Sequence, residues 1–182
     1  MIYWSPTRPA DHEMIDMRVD APVPWCRFHL AYQHGHIPIP QMPGHSSESV
    51  QGIVEGLALV ARSGQPGKIN PGYFMGPGRP RRIQKGQWCV GYRVGTRAVS
   101  IGEARQNLLM PAYLWVLHNR LKAFVKRLDQ MGRDKDLHLY DGASNIDIHD
   151  PKPFSGAAVV VSLINGTLRQ FERGDTEHLL PH

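Results

Sequence analysis

Proline sets the firmest limit on what this chain can fold into. Pro38, Pro40 and Pro43 fall at alternate or near-alternate positions between Gly35 and Gly44. Each fixes its own φ, removes a backbone N–H and pushes the preceding residue towards extended geometry. Helix is therefore barred across residues 35–44, which read as a rigid, extended loop. A second stretch, residues 64–86, carries Gly67, Pro71, Gly72, Gly76, Pro77, Gly78 and Pro80. It reads as a long surface loop, and long loops in compact domains are functional or mobile. Tyr73, Phe74 and Met75 give it apolar anchors, which excludes a mere linker.

Regular structure is confined to what lies between. Residues 2–4 read as a short strand stopped by Ser5-Pro6; residues 5–24 read as irregular, punctuated by Pro6, Pro9, Pro22 and Pro24; residues 25–32 read as a weak strand. Ser46, Ser47 or Ser49 can cap a helix with Glu48 near its positive end. Val50, Ile53, Val54, Leu57 and Val60/Ala61 follow at steps of three and four, predicting a helix over 47–63. Residues 87–94 alternate as a strand. Helical signal covers 102–131, with Pro111 inside it predicting a kink or two helices. Residues 137–140 form a strand ahead of the Asp141-Gly142 turn. Residues 155–164 predict a last helix, although their β-branched run also fits a strand.

A chain of 182 residues, 41% apolar and 20% charged, suits one domain with a tail. Residues 1–174 are assigned to that domain and 175–182 to a loose tail. The composition excludes a disordered chain, a collagen and a membrane bundle. No stretch approaches the roughly 20 apolar residues of a spanning helix, and the first residues lack the basic and apolar regions of a signal peptide. Cys26 and Cys89 are too few for a disulfide scaffold. The expectation is a soluble, cytoplasmic protein with no membrane partner. There is no internal repeat and no regular helix–strand alternation, so the class is α+β. The formal charge is +5, and 15 of the 21 cations are Arg, which favours forked contacts to carboxylate and phosphate.

No P-loop, dinucleotide fingerprint, nucleophile elbow or HExxH pair is present, so no cofactor is expected. His34, His36 and His45 are separated by prolines and read as a shaped loop that His34 pins, with no metal. Cys26 and Cys89, each beside a tryptophan, read as buried inert thiols. The densest basic run is Arg79, Arg81 and Arg82 with Lys85 after it; it wraps phosphate or simply faces water. Gln51 and Glu55, spaced i,i+4, share a helix face bordering the apolar stripe. Either they line a pocket, where a carboxylate stabilises an oxocarbenium ion, or Glu55 pairs with an Arg at the boundary. Glu103-Ala104-Arg105 opens the long helix, and Asp141 to Asn145 follows a strand. Both serve a site or act as caps and Asx turns.

In combination these pieces resemble a bacterial and phage family with the pattern PW…HGxIPVP…SVEGIWQGLK…EAR…LPAYxWVL…DYxxN…PLSHA. The pieces that carry it are Pro24-Trp25, His34-Gly35-x-Ile37-Pro38-x-Pro40, Pro43-Gly44, the stretch Ser49 to Leu57, Gly91-Tyr92-Arg93-x-Gly95, Glu103-Ala104-Arg105, Pro111-Ala112-Tyr113, Trp115-Val116-Leu117, Tyr140-Asp141, Asn145 and Pro153-Phe154-Ser155. The likeness spans residues 24–168. The Glu-x3-Gln-x2-Lys helix of that family is in turn similar to the helix of NADAR-type N-glycosidases. The resemblance implies a compact α+β fold, mainly helical with a few short strands. It also implies a sugar–nitrogen bond as target, in a nucleotide, an ADP-ribose conjugate or a modified nucleic acid. This chain departs from the pattern at three places. Gln51 and Glu55 exchange the family's Glu and Gln, Ala58 replaces its Lys, and Ser155-Gly156 replaces its Ser-His. The exchange moves the anionic centre by about one helical turn, roughly 5 Å.

On that resemblance Glu55 would stabilise the cationic sugar, Gln51 would orient a hydroxyl, and Asp141 or Glu103 would serve as acid or base. Arg105, Arg79, Arg81 and Arg82 would hold phosphate, with Trp25, His34 and Asn145 completing the substrate site. The expected activity is that of an N-glycosidase, a hydrolase of N-glycosyl compounds, with a nucleotide or ADP-ribose-like molecule, DNA or RNA as partner. The rival reading is a nucleic-acid- or nucleotide-binding protein that does no chemistry on the same fold.

Overall fold

The computed structural model describes residues 1–8 and 13–180. Along the chain come β1 (Ile2–Trp4), β2 (Met14–Asp16), β3 (Ile37–Pro38), β4 (Ser46–Ser47), α1 (Val50–Leu57), β5 (Ala58–Arg62), β6 (Gln65–Lys68), β7 (Gln87–Val94) and β8 (Arg97–Val99). Then follow α2 (Ile101–Ala104), α3 (Met110–Asn119), α4 (Lys122–Asp134), β9 (Leu137–Tyr140), α5 (Gly156–Ile164) and α6 (Leu168–Glu172). Helix accounts for 36% and strand for 20%, so the class is α+β but helices do not dominate as expected. Among the described residues no helix is long and apolar enough to cross a membrane. The elements gather into two compact units, Met1–His29 with Leu117–His182, and Leu30–Val116.

In the first unit β9 lies between β1 and β2 and runs parallel to both, with Ile2 opposite Leu137 and Ile15 opposite Leu139. Helix α5 packs against β1 and β9. It is apolar on all sides and buried from Gly156 to Ser162, as a helix in the middle of a core must be. Its β-branched residues are thus helical, because the Ser155 hydroxyl caps its start by accepting from the Ala158 N–H. The expected irregular stretch 5–24 contains β2; Pro9 within it lies outside the described residues, as do the last two residues of the expected tail. The described part of that tail carries a turn of 3-10 helix at Glu177–Leu179 with Leu179 fully buried. Residues 25–32 hold a 3-10 turn at Trp25–Phe28 in place of the expected strand.

The middle unit is built on an antiparallel sheet of order β6-β5-β7-β8, together with a separate small β3–β4 pair that contacts α1. Helix α1 ends at Leu57 and passes straight into β5, so the helix expected over 47–63 is half strand. Ala58, Leu59, Val60 and Ala61 are all buried. An unbroken apolar run of this kind carries no period to separate helix from buried strand. Helix α1 starts at Val50, three residues later than expected, with Ser49, one of the three candidate caps, accepting from the Gly52 N–H. Gly52 and Gly56 share a face against which residues 73 and 74 press. A Cβ at Gly52 would stand 2.7 Å from the Tyr73 carbonyl oxygen, and one at Gly56 would overlap the Phe74 ring. The long loop is shorter than expected, since β6 occupies Gln65–Lys68.

The stretch 102–131 divides after Asn119. Pro111 itself is absorbed by a π turn at Arg105–Leu109, where the Met110 N–H bonds to the Arg105 carbonyl five residues back. Such a widened turn accommodates a residue that brings no N–H.

Strand β7 contains a bulge. Gly91 pairs with Leu59 but Cys89 pairs with Val60, leaving Val90 without an opposite number. In a regular strand residues 89 and 92 point to opposite faces; the extra residue restores them to one face. Gly91 makes this possible at φ +144°, with the Val99 carbonyl oxygen 2.8 Å from where a Cβ would sit. Gly91→Ala should therefore destabilise the protein by about 1–3 kcal/mol. Urea unfolding of the two proteins checks this, and an unchanged midpoint would refute it.

Candidate functional site

The residues that sequence reasoning singled out fall into both units, and the middle unit holds the chemically richest group. Gln51 and Glu55 stand one turn apart on α1, half-buried, with the Gln51 amide donating to the Glu55 carboxylate at 2.5 Å. The other Glu55 oxygen accepts from the backbone N–H of Arg81 at 2.9 Å. An Arg at the boundary thus meets Glu55 through its main chain. The Arg81 guanidinium is occupied elsewhere: it donates to the Ala58 carbonyl at 2.7 Å and lies 5.9 Å over the Tyr73 ring. Arg81 is a fastener of the loop, not a free phosphate ligand.

Tyr92 sits opposite Ala58, the residue that follows α1, so its phenol enters the same neighbourhood. Burial chiefly, with the Cys89 thiol and the Glu55 carboxylate adding to it and Arg105 opposing, pushes that phenol up to about 12. Tyr92 therefore stays protonated through the neutral range. Arg105 belongs to the π turn and is only 4% exposed, the one buried arginine among the sequence candidates. Cys89 is exposed and donates to the Gly91 carbonyl, so the expectation of a buried thiol holds for Cys26 and fails for Cys89. Sequence reasoning placed Tyr92 within the family resemblance but gave it no role in the site. Its signal was a glycine inside a strand, which marks a bulge and so a change of face.

Beside this group is an open cleft of about 730 Å³ lined by Asn70, Tyr73, Arg79 and Arg82 with the glycines and prolines between them. Neither Gln51 nor Glu55 lines it; Glu55 holds its wall through Arg81. His34 is where a pinned loop needs it: its N–H donates to the Glu48 carbonyl at 2.8 Å and its ring lies 4.9 Å from that of Tyr32. Among the described residues no group of three or more His, Cys, Asp or Glu side chains is placed to hold a metal ion.

The remaining candidates have structural duties. Glu103 closes a capping box with Ser100 at the start of α2. In the other unit, Asn145 donates to the Asp150 and Lys152 carbonyls and accepts from the Asp147 N–H, tying a loop to itself. Trp25 lies under the Arg127 guanidinium at 5.5 Å and beside Phe28. Asp141 is buried and accepts from the Ser155 hydroxyl and from the N–H groups of Ala143 and Ala157. It anchors the start of α5 to the end of β9.

One family's sequence pattern, described as a family of unknown function (DUF6939), matches residues 6–160. The chain belongs to that family. No curated protein and no solved structure matches it. In this DUF6939 chain the matched span covers all of the middle unit and reaches into α5, so it includes the Glu55 group and the Asp141 anchor alike.

Asp141 yields a pH prediction. Burial, the largest influence, raises its pKa above the ordinary Asp value, with its hydrogen bonds opposing. The folded state then holds the proton to higher pH than the unfolded chain, so stability from this group grows as pH falls through the raised value. Asp141→Ala should cost about 2–4 kcal/mol by leaving buried donors unpaired. The gap between wild type and variant should widen as pH falls from neutral towards the ordinary carboxylate range in urea unfolding. A gap that narrows would refute the assignment.

Proposed function

We propose that the Glu55 group cleaves a sugar–nitrogen bond in a phosphate-bearing nucleotide, ADP-ribose conjugate or modified nucleic acid, as an N-glycosidase of NADAR-like type. The observation that carries this reading is the fixed carboxylate. Two donors on different segments, the Gln51 amide and the Arg81 N–H, hold Glu55 in one orientation while leaving it half exposed. In such a reaction the C–N bond breaks with its electron pair on the departing base, and positive charge develops on the sugar. A preoriented carboxylate stabilises that charge without reorganising. Water then adds at the anomeric carbon, losing a proton that balances the one the departing base takes up. Tyr92, protonated at neutral pH, supplies a hydrogen bond, and Arg79 and Arg82 hold phosphate in the neighbouring cleft. Asp141 and Glu103 drop out of the acid–base roles, because their oxygens are engaged in holding helix starts.

One observation favours the second reading, binding without cleavage: the Glu55 oxygens already accept hydrogen bonds from the protein, and Glu55 does not line the cleft. Product analysis by mass spectrometry separates the two. Wild type and Glu55→Gln are incubated with NAD, ADP-ribose conjugates, nucleotides and bacterial or phage DNA. The glycosidase reading expects free base or amine from wild type and a loss of about 10²–10³-fold in the variant. Equal release by both proteins, or none by either, would sink it.

A further inference from the structure

The protein's charge is divided very unevenly along the chain. The middle unit, Leu30–Val116, has nine cations against three carboxylates, whereas the rest of the chain has twelve against thirteen. Between Glu55 and Glu103 there is no Asp or Glu at all, while Arg62, Lys68, Arg79, Arg81, Arg82, Lys85, Arg93 and Arg97 fall in that span. In the first unit four cations have carboxylate partners: Arg18 with Asp16, Arg133 with Asp129, Lys135 with Glu13 and Lys152 with Asp150. Arg79 and Arg82, both exposed, have no hydrogen-bond or ion-pair partner for their guanidinium groups among the described residues. Those two line the cleft together with the Tyr73 ring, one face of which is covered by Arg81.

We propose that this cleft binds a single strand of nucleic acid, its phosphates on Arg79 and Arg82 and a base against Tyr73. The proposal rests on the assignment of the cleft to phosphate made above and on none of the chemistry at Glu55. Three features select the strand. The wall is acid-free, so successive phosphates meet no like charge. The cleft is open, so a polymer can enter and leave it. It is also concave, whereas duplex DNA is read by a helix or ribbon that projects into a groove. A basic groove with an aromatic platform is the usual means of holding unpaired bases.

The test is fluorescence anisotropy with a labelled DNA strand of about twelve nucleotides, its duplex, and ADP-ribose as competitor. The strand should bind more tightly than the duplex, and log K should fall linearly with log salt concentration. Arg79→Ala with Arg82→Ala should weaken binding roughly tenfold or more and reduce the salt slope by about 1.4, at about 0.7 per phosphate contact. Tyr73→Leu should weaken it about five- to a hundredfold. Lys126→Ala with Arg133→Ala, which removes the same charge from α4, should change nothing. Strand binding insensitive to the cleft variants, or duplex binding as tight as the strand, overturns the proposal. If ADP-ribose binds as tightly as the strand, with the same dependence on Arg79 and Arg82, the cleft is a mononucleotide pocket. The strand proposal then fails while the phosphate assignment stands. If neither ligand binds, both fail.

Discussion

The hydrogen bond from the Arg81 N–H to the Glu55 carboxylate belongs to a small set that fixes a long segment lying outside the sheet. Eighteen residues, 69–86, separate β6 from β7, and none of them pairs in the sheet. Closing a loop of that length costs about 2.5 kcal/mol in chain entropy beyond a constant. One hydrogen bond to a charged group contributes about 1.5–3 kcal/mol. A single fastening therefore roughly balances closure, and several are needed to make one conformation dominant. The structure supplies them from one side. Glu55 takes the Arg81 amide, the Ala58 carbonyl takes its guanidinium, and the Phe74 carbonyl takes the Glu48 N–H and the Ser47 hydroxyl. All four anchors come from the short stretch Ser47 to Ala58, so α1 and its flanks hold the loop.

This arrangement gives Glu55 two possible duties at once. A carboxylate held by two donors on separate segments is structurally useful, and the same holding is what an electrostatic catalyst needs. The neighbours bear on the proposed site. A merely structural Glu would be best served by an arginine side chain, yet Arg81 turns its guanidinium to Ala58 and Tyr73 and offers Glu55 only its amide. The carboxylate consequently keeps its negative charge unneutralised by that residue, within a unit otherwise rich in positive charge. Nearby, the bulge at Val90 brings Cys89 and Tyr92 to the face where Tyr92 feels the Glu55 charge. A strand without that extra residue would place only one of the two there.

What could be read from the sequence follows the range of the interactions. Local signals survived. The Ser49 cap, the i,i+4 pair of Gln51 and Glu55, the strands at residues 2–4, 87–94 and 137–140, and the start of α5 are all decided within a few residues. The end of α1 was not legible, because Leu57 to Ala61 is apolar without interruption and only pairing with β7 makes the second part a strand. The partner of Glu55 was not legible either, since it lies 26 residues away and uses a main-chain atom that has no side-chain signature. Glu103 and Asp141 show the opposite case. The spacing Ser100-x-x-Glu103 is that of a capping box, and Asp141-Gly142 is a turn signal. Their structural duties were in the sequence and competed there with the chemical ones.

Arg105 shows why the competition matters. A buried guanidinium carries a large desolvation cost unless it is met by acceptors or opposite charge. In a plain helix its position would be set by the 3.6-residue period alone. The π turn that absorbs Pro111 resets that period at Arg105–Leu109, so the proline downstream helps to fix where the buried cation stands. Close to it are Tyr92, whose phenol it pulls towards ionisation, and through Tyr92 the carboxylate of Glu55, which pulls the other way. Burial is the larger influence, so the phenol stays neutral while Arg105 and Glu55 act on it in opposite senses.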